Sequence, residues 1–245
     1  MKTGVVIPSY NEHECIASLV AEIRKFVPEA EIVVVDDSPN EMTAGALKPF
    51  LGPATHLIRR KAKGGRGTAV IEGLKFLLAR GVDYAVEMDA DFSHPPSQIP
   101  ELLAKASAEQ LDLLIASRYL PTSQIRNWPA TRRTFSFFSN KLARAVLSVP
   151  ICDYTNGFRC YSRNAVGVIA ETCGKLGTGF IALSEILVNL YYRGQRVGEV
   201  PTIFVNRVRG ESSLNSGEIS NALKGLFRIR GLKKQLKAQL KEKSQ

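Results

Sequence analysis

The chain has 245 residues, of which 44% are hydrophobic and 23% charged, with four cysteines and a net charge of +10. That composition fits one large soluble domain, or one domain with an extension, with a sizeable core. No apolar run reaches the roughly 18 to 20 residues that span a bilayer; the best candidate, Ile181 to Tyr192, is too short and carries Glu185. The N-terminus goes straight into a strand, which predicts no signal peptide. Cys15, Cys152, Cys160 and Cys173 lack metal-ligand spacing and read as buried free thiols in a reducing compartment. Residues 1–120 hold 13 Lys+Arg against 16 Asp+Glu, whereas residues 121–245 hold 20 against 7. A basic second half implies an anionic partner: nucleic acid, an anionic lipid surface or a phosphorylated substrate.

Thr3 to Pro8 reads as a short buried strand, and Ile16, Leu19, Val20 and Ile23 recur behind it at helical spacing. Glu31 to Asp37 is a second strand, a valine run that suits parallel pairing covered on both faces and that ends in two acids. A weaker strand surrounds Leu57 and Ile58. Gly64-Gly-Arg-Gly-Thr-Ala69 opens a helix; it has neither dinucleotide-fingerprint nor Walker spacing. Tyr84 to Met88 and Leu111 to Ala116 are further strands. Strands alternating with helices argue a parallel, doubly wound sheet.

The fourth strand runs into Asp89-Ala-Asp91-Phe-Ser93-His-Pro-Pro96, and the prolines end it. The two aspartates therefore stand at a carboxyl strand end, where open α/β sheets bind ligands. Two carboxylates two residues apart suit Mg²⁺, which takes one or two of them plus substrate phosphates. A solvated acidic turn that caps the next helix is the plainer alternative for so short a motif.

Beyond Tyr119 the pattern changes. Arg126 to Arg133 is a basic loop holding Trp128, the single tryptophan. Phe135 to Val149 reads as an amphipathic helix, with Phe135, Phe138, Leu142, Val146 and Val149 forming a stripe expected to pack on the core; a face for a lipid chain is the alternative. Asp153 to Arg159 reads as a polar loop, Gly179 to Tyr192 as a helix around Glu185, and Val197 to Val205 as a strand pair around Pro201. Ala222 to Gln245 is a further amphipathic helix crowded with lysine and arginine, suited to an anionic membrane surface or to solvent.

In order along the chain stand Ile7-Pro-Ser-Tyr-Asn-Glu12, Val35-Asp-Asp-Ser38, Gly65-x-Gly67-x-Ala69, Asp89-Ala-Asp91-x-Ser-His-Pro-Pro96 and Ser117-Arg-Tyr119. This set resembles the GT-A fold glycosyltransferases of family 2. Asn127-Trp-Pro-x-x-Arg132, Asp153-x-x-x-Gly-Phe158, Gly198-Glu-Val-Pro201 and Arg207-x-Arg-Gly-Glu-Ser212 extend the likeness to dolichol-phosphate mannose synthases and other polyprenyl-phosphate sugar synthases. It covers residues 3 to about 230. The resemblance implies a mostly parallel, Rossmann-like α/β sheet flanked by helices, a catalytic domain at 1–230 and a basic amphipathic tail at 231–245.

By that resemblance Pro8, Tyr10, Glu12, Val35, Asp37 and Ala90 hold the nucleotide of a nucleotide sugar, and Asp89, Asp91 and Ser93 carry Mg²⁺ or Mn²⁺. Arg118, Arg132 and Arg207 gather around the donor diphosphate and the acceptor phosphate. The implied reaction is an inverting transfer of a hexose, mannose first, from GDP-mannose to a polyprenyl phosphate at the cytosolic face of a membrane. The protein would be cytoplasmic and peripheral, reaching the membrane by its basic half, its tail or a membrane subunit. A UDP-sugar donor or a non-lipid acceptor is the nearest alternative; a hydroxyl acceptor would need a carboxylate base, with Asp153 or Glu185 as candidates. A nucleic-acid binder is disfavoured, since no aromatic residues interleave the basic tail. His94 reads as a turn-stabilising residue. Ser213 stands where relatives often have lysine, Asn156 where many have serine, and residues 38–45 depart from the usual form.

Overall fold

A computed structural model describes residues 1–177, 180–206 and 216–243. The first half alternates strand and helix as its pattern requires: β1 (Thr3–Ser9), α1 (Ile16–Phe26), β2 (Glu31–Asp36), α2 (Met42–Leu47), β3 (Thr55–Arg59), α3 (Arg66–Ala79), β4 (Tyr84–Glu87), α4 (Ile99–Ala108) and β5 (Leu113–Ser117). Then follow β6 (Gln124–Arg126), α5 (Ala130–Leu147), β7 (Arg159–Ser162), α6 (Arg163–Thr172), α7 (Phe180–Tyr192), β8 (Val197–Pro201), β9 (Ile203–Val205) and α8 (Ser216–Lys243).

The main sheet runs β3-β2-β1-β4-β7-β5-β8. Every pairing in it is parallel except those of β7, which lies antiparallel between β4 and β5. Successive side chains point to opposite faces, so the apolar runs of β1 and β2 feed two cores. Val6, Val33 and Val35 pack with α3, α6 and α7 on one face, while Val5, Ile7, Ile32 and Val34 pack with α1 and α4 on the other. The parallel strands place their carboxyl ends on one edge, and Pro8, Asp37 and Asp89 stand there.

Three expectations fail in the second half. β7 falls partly within a stretch that reads as polar loop; its short Arg-Cys-Tyr-Ser sequence has no apolar run, yet Arg159, Cys160 and Tyr161 are fully buried. Val197 to Val205 does not form one strand pair: β8 joins the main sheet beside β5, and β9 pairs in parallel with β6. The helix expected from Phe135 starts at Ala130 and turns a different face inward. Asn140, Ala143 and Leu147 are its buried residues, so Phe135, Phe138 and Leu142 stand 41%, 62% and 46% exposed. The apolar stripe is thus divided: Phe135, Phe138 and Leu142 face outward, whereas Val149 is buried in the core and Val146 packs against it.

α8 runs unbroken through positions 230 and 231. Ile229 and Leu236 are buried in the core, against which Leu226 and Leu232 also pack, so the helix is docked along much of its length. Lys233 fixes it to α5 by donating to the Val146 carbonyl and the Ser148 hydroxyl, each at 2.8 Å. The cysteines are free, with Cys160 and Cys173 buried and Cys15 and Cys152 partly so.

Candidate active site

At the carboxyl edge of the sheet lies an open cleft of about 410 Å³. Pro8, Tyr10, Glu12 and Asp37 from the ends of β1 and β2, Asp89, Ala90, Asp91 and Ser93 from the loop after β4, and Arg118 and Arg132 all line it. Val35 does not line it: its side chain is fully buried beside Val6 and Val33, so only its backbone faces that edge. Arg207 lies outside the described residues, as do Ser212 and Ser213.

The acids that end β2 divide their work. Asp36 is buried and accepts the Ser38 hydroxyl at 2.6 Å, and Ser38 in turn accepts the Asn11 N–H at 2.8 Å, tying the two loops together. Asp37 is paired through both oxygens with Arg60 and accepts the N–H groups of Gly64 and Gly65 at 3.2 and 3.1 Å. The glycine-rich loop is therefore held at the cleft by one carboxylate. Gly65 has φ +91°, a left-handed conformation that favours glycine, and it starts α3.

Arg66 follows at the first position of α3. Its Nη1 donates to Glu87 Oε1 at 2.6 Å, and its Nε donates to Asp89 Oδ1 at 2.8 Å. Burial acts to raise the Asp89 carboxyl, but the Arg66 charge, aided by Arg118, holds it below the ordinary range. Tyr161 donates to the other Glu87 oxygen at 2.6 Å. Asp91 Oδ1 accepts the Ser93 N–H at 3.0 Å, a tight turn that Phe92 completes at φ +60°.

His94 is fully buried, stacked on Phe158 with centroids 5.0 Å apart. Its Nδ1 accepts the Asp89 N–H at 3.4 Å and its Nε2 donates to Asn156 Oδ1 at 3.0 Å, while Asn156 Nδ2 donates to the Ala116 carbonyl. Burial lowers the His94 pKa and favours this neutral form. The expected turn-stabilising role is borne out, and Asn156 is the second half of that brace.

Arg118 and Asp153 form a fully hydrogen-bonded pair. Nε donates to Oδ2 and Nη2 to Oδ1, both at 2.8 Å, with the Arg118 backbone N–H adding a third bond at 3.0 Å. For Asp153 burial opposes ionisation, and Arg118 overrides it and lowers the pKa. Arg118 and Arg132 both lie over Trp128, 5.4 and 4.6 Å from its ring centroid, and Trp128 meets Phe204 edge-on. Asn206 accepts from Trp128 Nε1 and from Arg132, each at 3.2 Å. Glu185 stands elsewhere, outside the cleft lining; it accepts the N–H groups of Lys175 and Leu176 at 3.3 and 3.4 Å, and burial raises its pKa.

Among the described residues no group of three or more His, Cys, Asp or Glu could hold a metal ion. Two carboxylates and a hydroxyl in the cleft lining still fit a hard divalent ion that completes its shell with substrate phosphates and water. Sequence reasoning missed Arg66, Arg60 and the bracing role of Asn156. The spacing of Gly-Arg-Gly carried no hint that the guanidinium would reach across to β4.

Residues 4–169 match Glycosyl transferase family 2. The chain is 34% identical over 235 residues to an undecaprenyl-phosphate mannosyltransferase of Micrococcus luteus, covering 93% of each chain. It is 35% identical over 226 residues to a polyprenol monophosphomannose synthase of Mycolicibacterium smegmatis, covering 91% of this chain and 84% of that one. Its fold is similar to that of the glucosyl-3-phosphoglycerate synthase of Mycobacterium tuberculosis, solved with Mn²⁺, UDP and phosphoglyceric acid: the TM-score is 0.69 at 19% identity, over 94% of this chain and 78% of that chain. The chain belongs to glycosyl transferase family 2, with the GT-A fold, and is a glycosyltransferase.

Proposed function

We propose that this enzyme transfers mannose from GDP-mannose to a polyprenyl phosphate, with inversion and with Mg²⁺ or Mn²⁺. The observation that carries the reading is the state of the carboxylates. Asp153 is committed to Arg118, and Glu185 lies outside the cleft in a ring of backbone N–H groups. Neither is poised as the base that a hydroxyl acceptor needs. A phosphate acceptor is already anionic and needs positioning instead. The names of the two relatives at about 35% identity agree with this choice.

Pro8, Tyr10, Glu12, Asp37, Ala90 and the Val35 backbone hold the nucleoside. Asp89, Asp91 and Ser93 would hold the metal, which would supply Lewis-acid neutralisation of the leaving diphosphate. Arg118, braced by Asp153, presents a fixed positive charge to the phosphates, and Arg132 stacked on Trp128 presents a second. Arg207 joins them. The acceptor phosphate oxygen attacks the anomeric carbon from the face opposite the diphosphate.

No described helix is long and apolar enough to cross a membrane. We place the enzyme peripherally at the cytosolic face. α5 starts at the cleft with Arg132 and carries exposed Phe135, Phe137, Phe138 and Leu142 outward from it. Beyond them Arg230, Lys233, Lys234 and Lys237 of α8 line a hollow against Ala145 and Val146. An apolar stripe beside a basic one suits insertion at an anionic bilayer surface. Residues 1–230 carry catalysis and 231–245 end the basic tail.

The test is transfer of radiolabelled sugar into an organic-extractable lipid, with purified protein, divalent metal, a short polyprenyl phosphate, and GDP-mannose or UDP-glucose in parallel. Label from GDP-mannose is the expected outcome. Label from UDP-glucose alone, or from neither, overturns the donor or the acceptor.

A further inference from the structure

Arg132 of α5 lines the cleft, and Ala145 and Val146, about 20 Å further along the same helix, line a second hollow of about 530 Å³. The rest of that hollow is one face of α8: Arg230, Lys233, Lys234 and Lys237, at spacings of three and four. Four cations thus line it, and no carboxylate does. Burial lowers the Lys233 pKa, and the like charges of Lys237 and Arg230 lower it further. Two of the heads are fixed in place. Lys233 spends two of its three N–H groups on the Val146 carbonyl and the Ser148 hydroxyl. Lys237 lies over the Tyr192 ring, 5.4 Å from its centroid. Cations held together in this way repel one another, and an anion that enters the hollow relieves the repulsion. The neighbouring surface identifies the anion's setting. Phe138, Leu142 and the Ala145–Val146 pair follow at helical spacing, so the exposed apolar stripe and the hollow share one face of α5.

We infer that the hollow between α5 and α8 is a seat for the phosphate headgroup of an anionic phospholipid, separate from the cleft that takes the substrates. This rests on the peripheral placement proposed above and gives it a discrete site. Phe138 and Leu142 meet the acyl region, while the four cations hold a phosphate at the surface of the same leaflet. The seat and the cleft then lie at two points along one rigid helix. A headgroup held at the far end of α5 fixes the direction in which the cleft faces the bilayer, which charge spread evenly over the tail would not do.

The experiment is flotation of the full chain with phosphatidylcholine vesicles, with and without phosphatidylglycerol, free of polyprenyl phosphate and at fixed ionic strength. The wild type is expected to bind only the anionic vesicles. Arg230→Gln with Lys234→Gln removes the two exposed cations of the hollow and should weaken that binding about thirtyfold. Lys224→Gln with Lys241→Gln removes the same charge from exposed positions of α8 outside the hollow and should cost less than about fivefold. Ala145→Glu keeps every cation but gives the hollow a resident carboxylate, and it should weaken binding about tenfold. It decides the matter if the first pair does not fold. Equal losses in the two double variants, or none, overturn the seat, while binding by the wild type keeps the peripheral placement. Displacement by inorganic phosphate, but not by chloride at equal ionic strength, overturns the phospholipid in favour of a soluble phosphate. A wild type that ignores anionic vesicles overturns seat and placement together; sugar transfer to a short polyprenyl phosphate, measured without vesicles, then still upholds the enzymatic reading.

Discussion

On one side of the cleft, Pro8, Asp37 and Asp89 arrive from the ends of β1, β2 and β4, strands fixed in register by parallel ladders and buried on both faces. On the other side, Trp128, Arg132, Phe204 and Asn206 come from a loop, a helix start and a two-stranded sheet. They are held by ring contacts at 4.6 to 5.2 Å and by hydrogen bonds to a single asparagine. The first side owes its geometry chiefly to backbone ladders, with Asp37 alone holding the glycine-rich loop onto them, so a change at Asp91 removes chemistry without moving the frame. The second owes its geometry to side chains, so one substitution removes both a contact and the arrangement of its neighbours. Arg118 joins the two, since β5 leads into it and Asp153 fixes it.

The largest effect belongs to the strand side. Asp91→Ala should cut sugar transfer by about a thousandfold or more, with the melting temperature unchanged. An active variant would remove the metal assignment. At the junction, Asp153→Asn leaves Arg118 without its buried partner and should cost about 3 kcal/mol of stability, read by chemical denaturation. Its pH signature is defined. The carboxyls of Asp89 and Asp153 are both held low, so their stabilising contribution is complete above the unfolded value near 4 and is lost as pH falls through the lowered folded values. The melting temperature should decline gently below about pH 6.5, as the unfolded state protonates the imidazole that the fold keeps neutral at His94, and drop further below about pH 4, less steeply in Asp153→Asn.

On the side-chain-built wall, Arg132→Ala should lower kcat/KM for the lipid acceptor by about 10- to 100-fold, through acceptor KM more than donor KM. Equal effects on both would merge the two sides that the geometry separates. Further along α5, Phe138→Ser with Leu142→Ser should weaken partitioning onto anionic vesicles about tenfold, measured by flotation, at unchanged stability. The smallest effect is Glu185→Gln, which should change kcat by less than about twofold; a large loss would reopen the hydroxyl-acceptor reading.

The same division governs what the sequence reveals. β1, β2 and β4 are legible because a strand buried on both faces must be a continuous apolar run, and the prolines after His94 leave one place for it to stop. β7 is not legible, because its burial comes from Arg159 and Tyr161, whose polar atoms are satisfied by Asn156, Tyr154 and Leu183 carbonyls and by Glu87. Those partners are distant in sequence or hidden in a loop. On α5 the periodicity is real but its direction is not encoded locally: a stripe of phenylalanine reads alike whether it meets a core or open surroundings. Tyr10, Glu12, Asp91 and Arg132 could be assigned to one cleft from motif order, whereas the Arg66 bridge depends on the absent side chain at Gly157, far along the chain.

The placement of Trp128 has one more consequence. It is the single tryptophan in the chain, and it lies in the cleft wall between Arg118, Arg132 and Phe204. All indole emission from this enzyme thus originates beside two guanidinium groups of the cleft, those of Arg118 and Arg132. A ligand that shifts either guanidinium off the indole should change that emission, which a titration of the unlabelled protein with nucleotide would read.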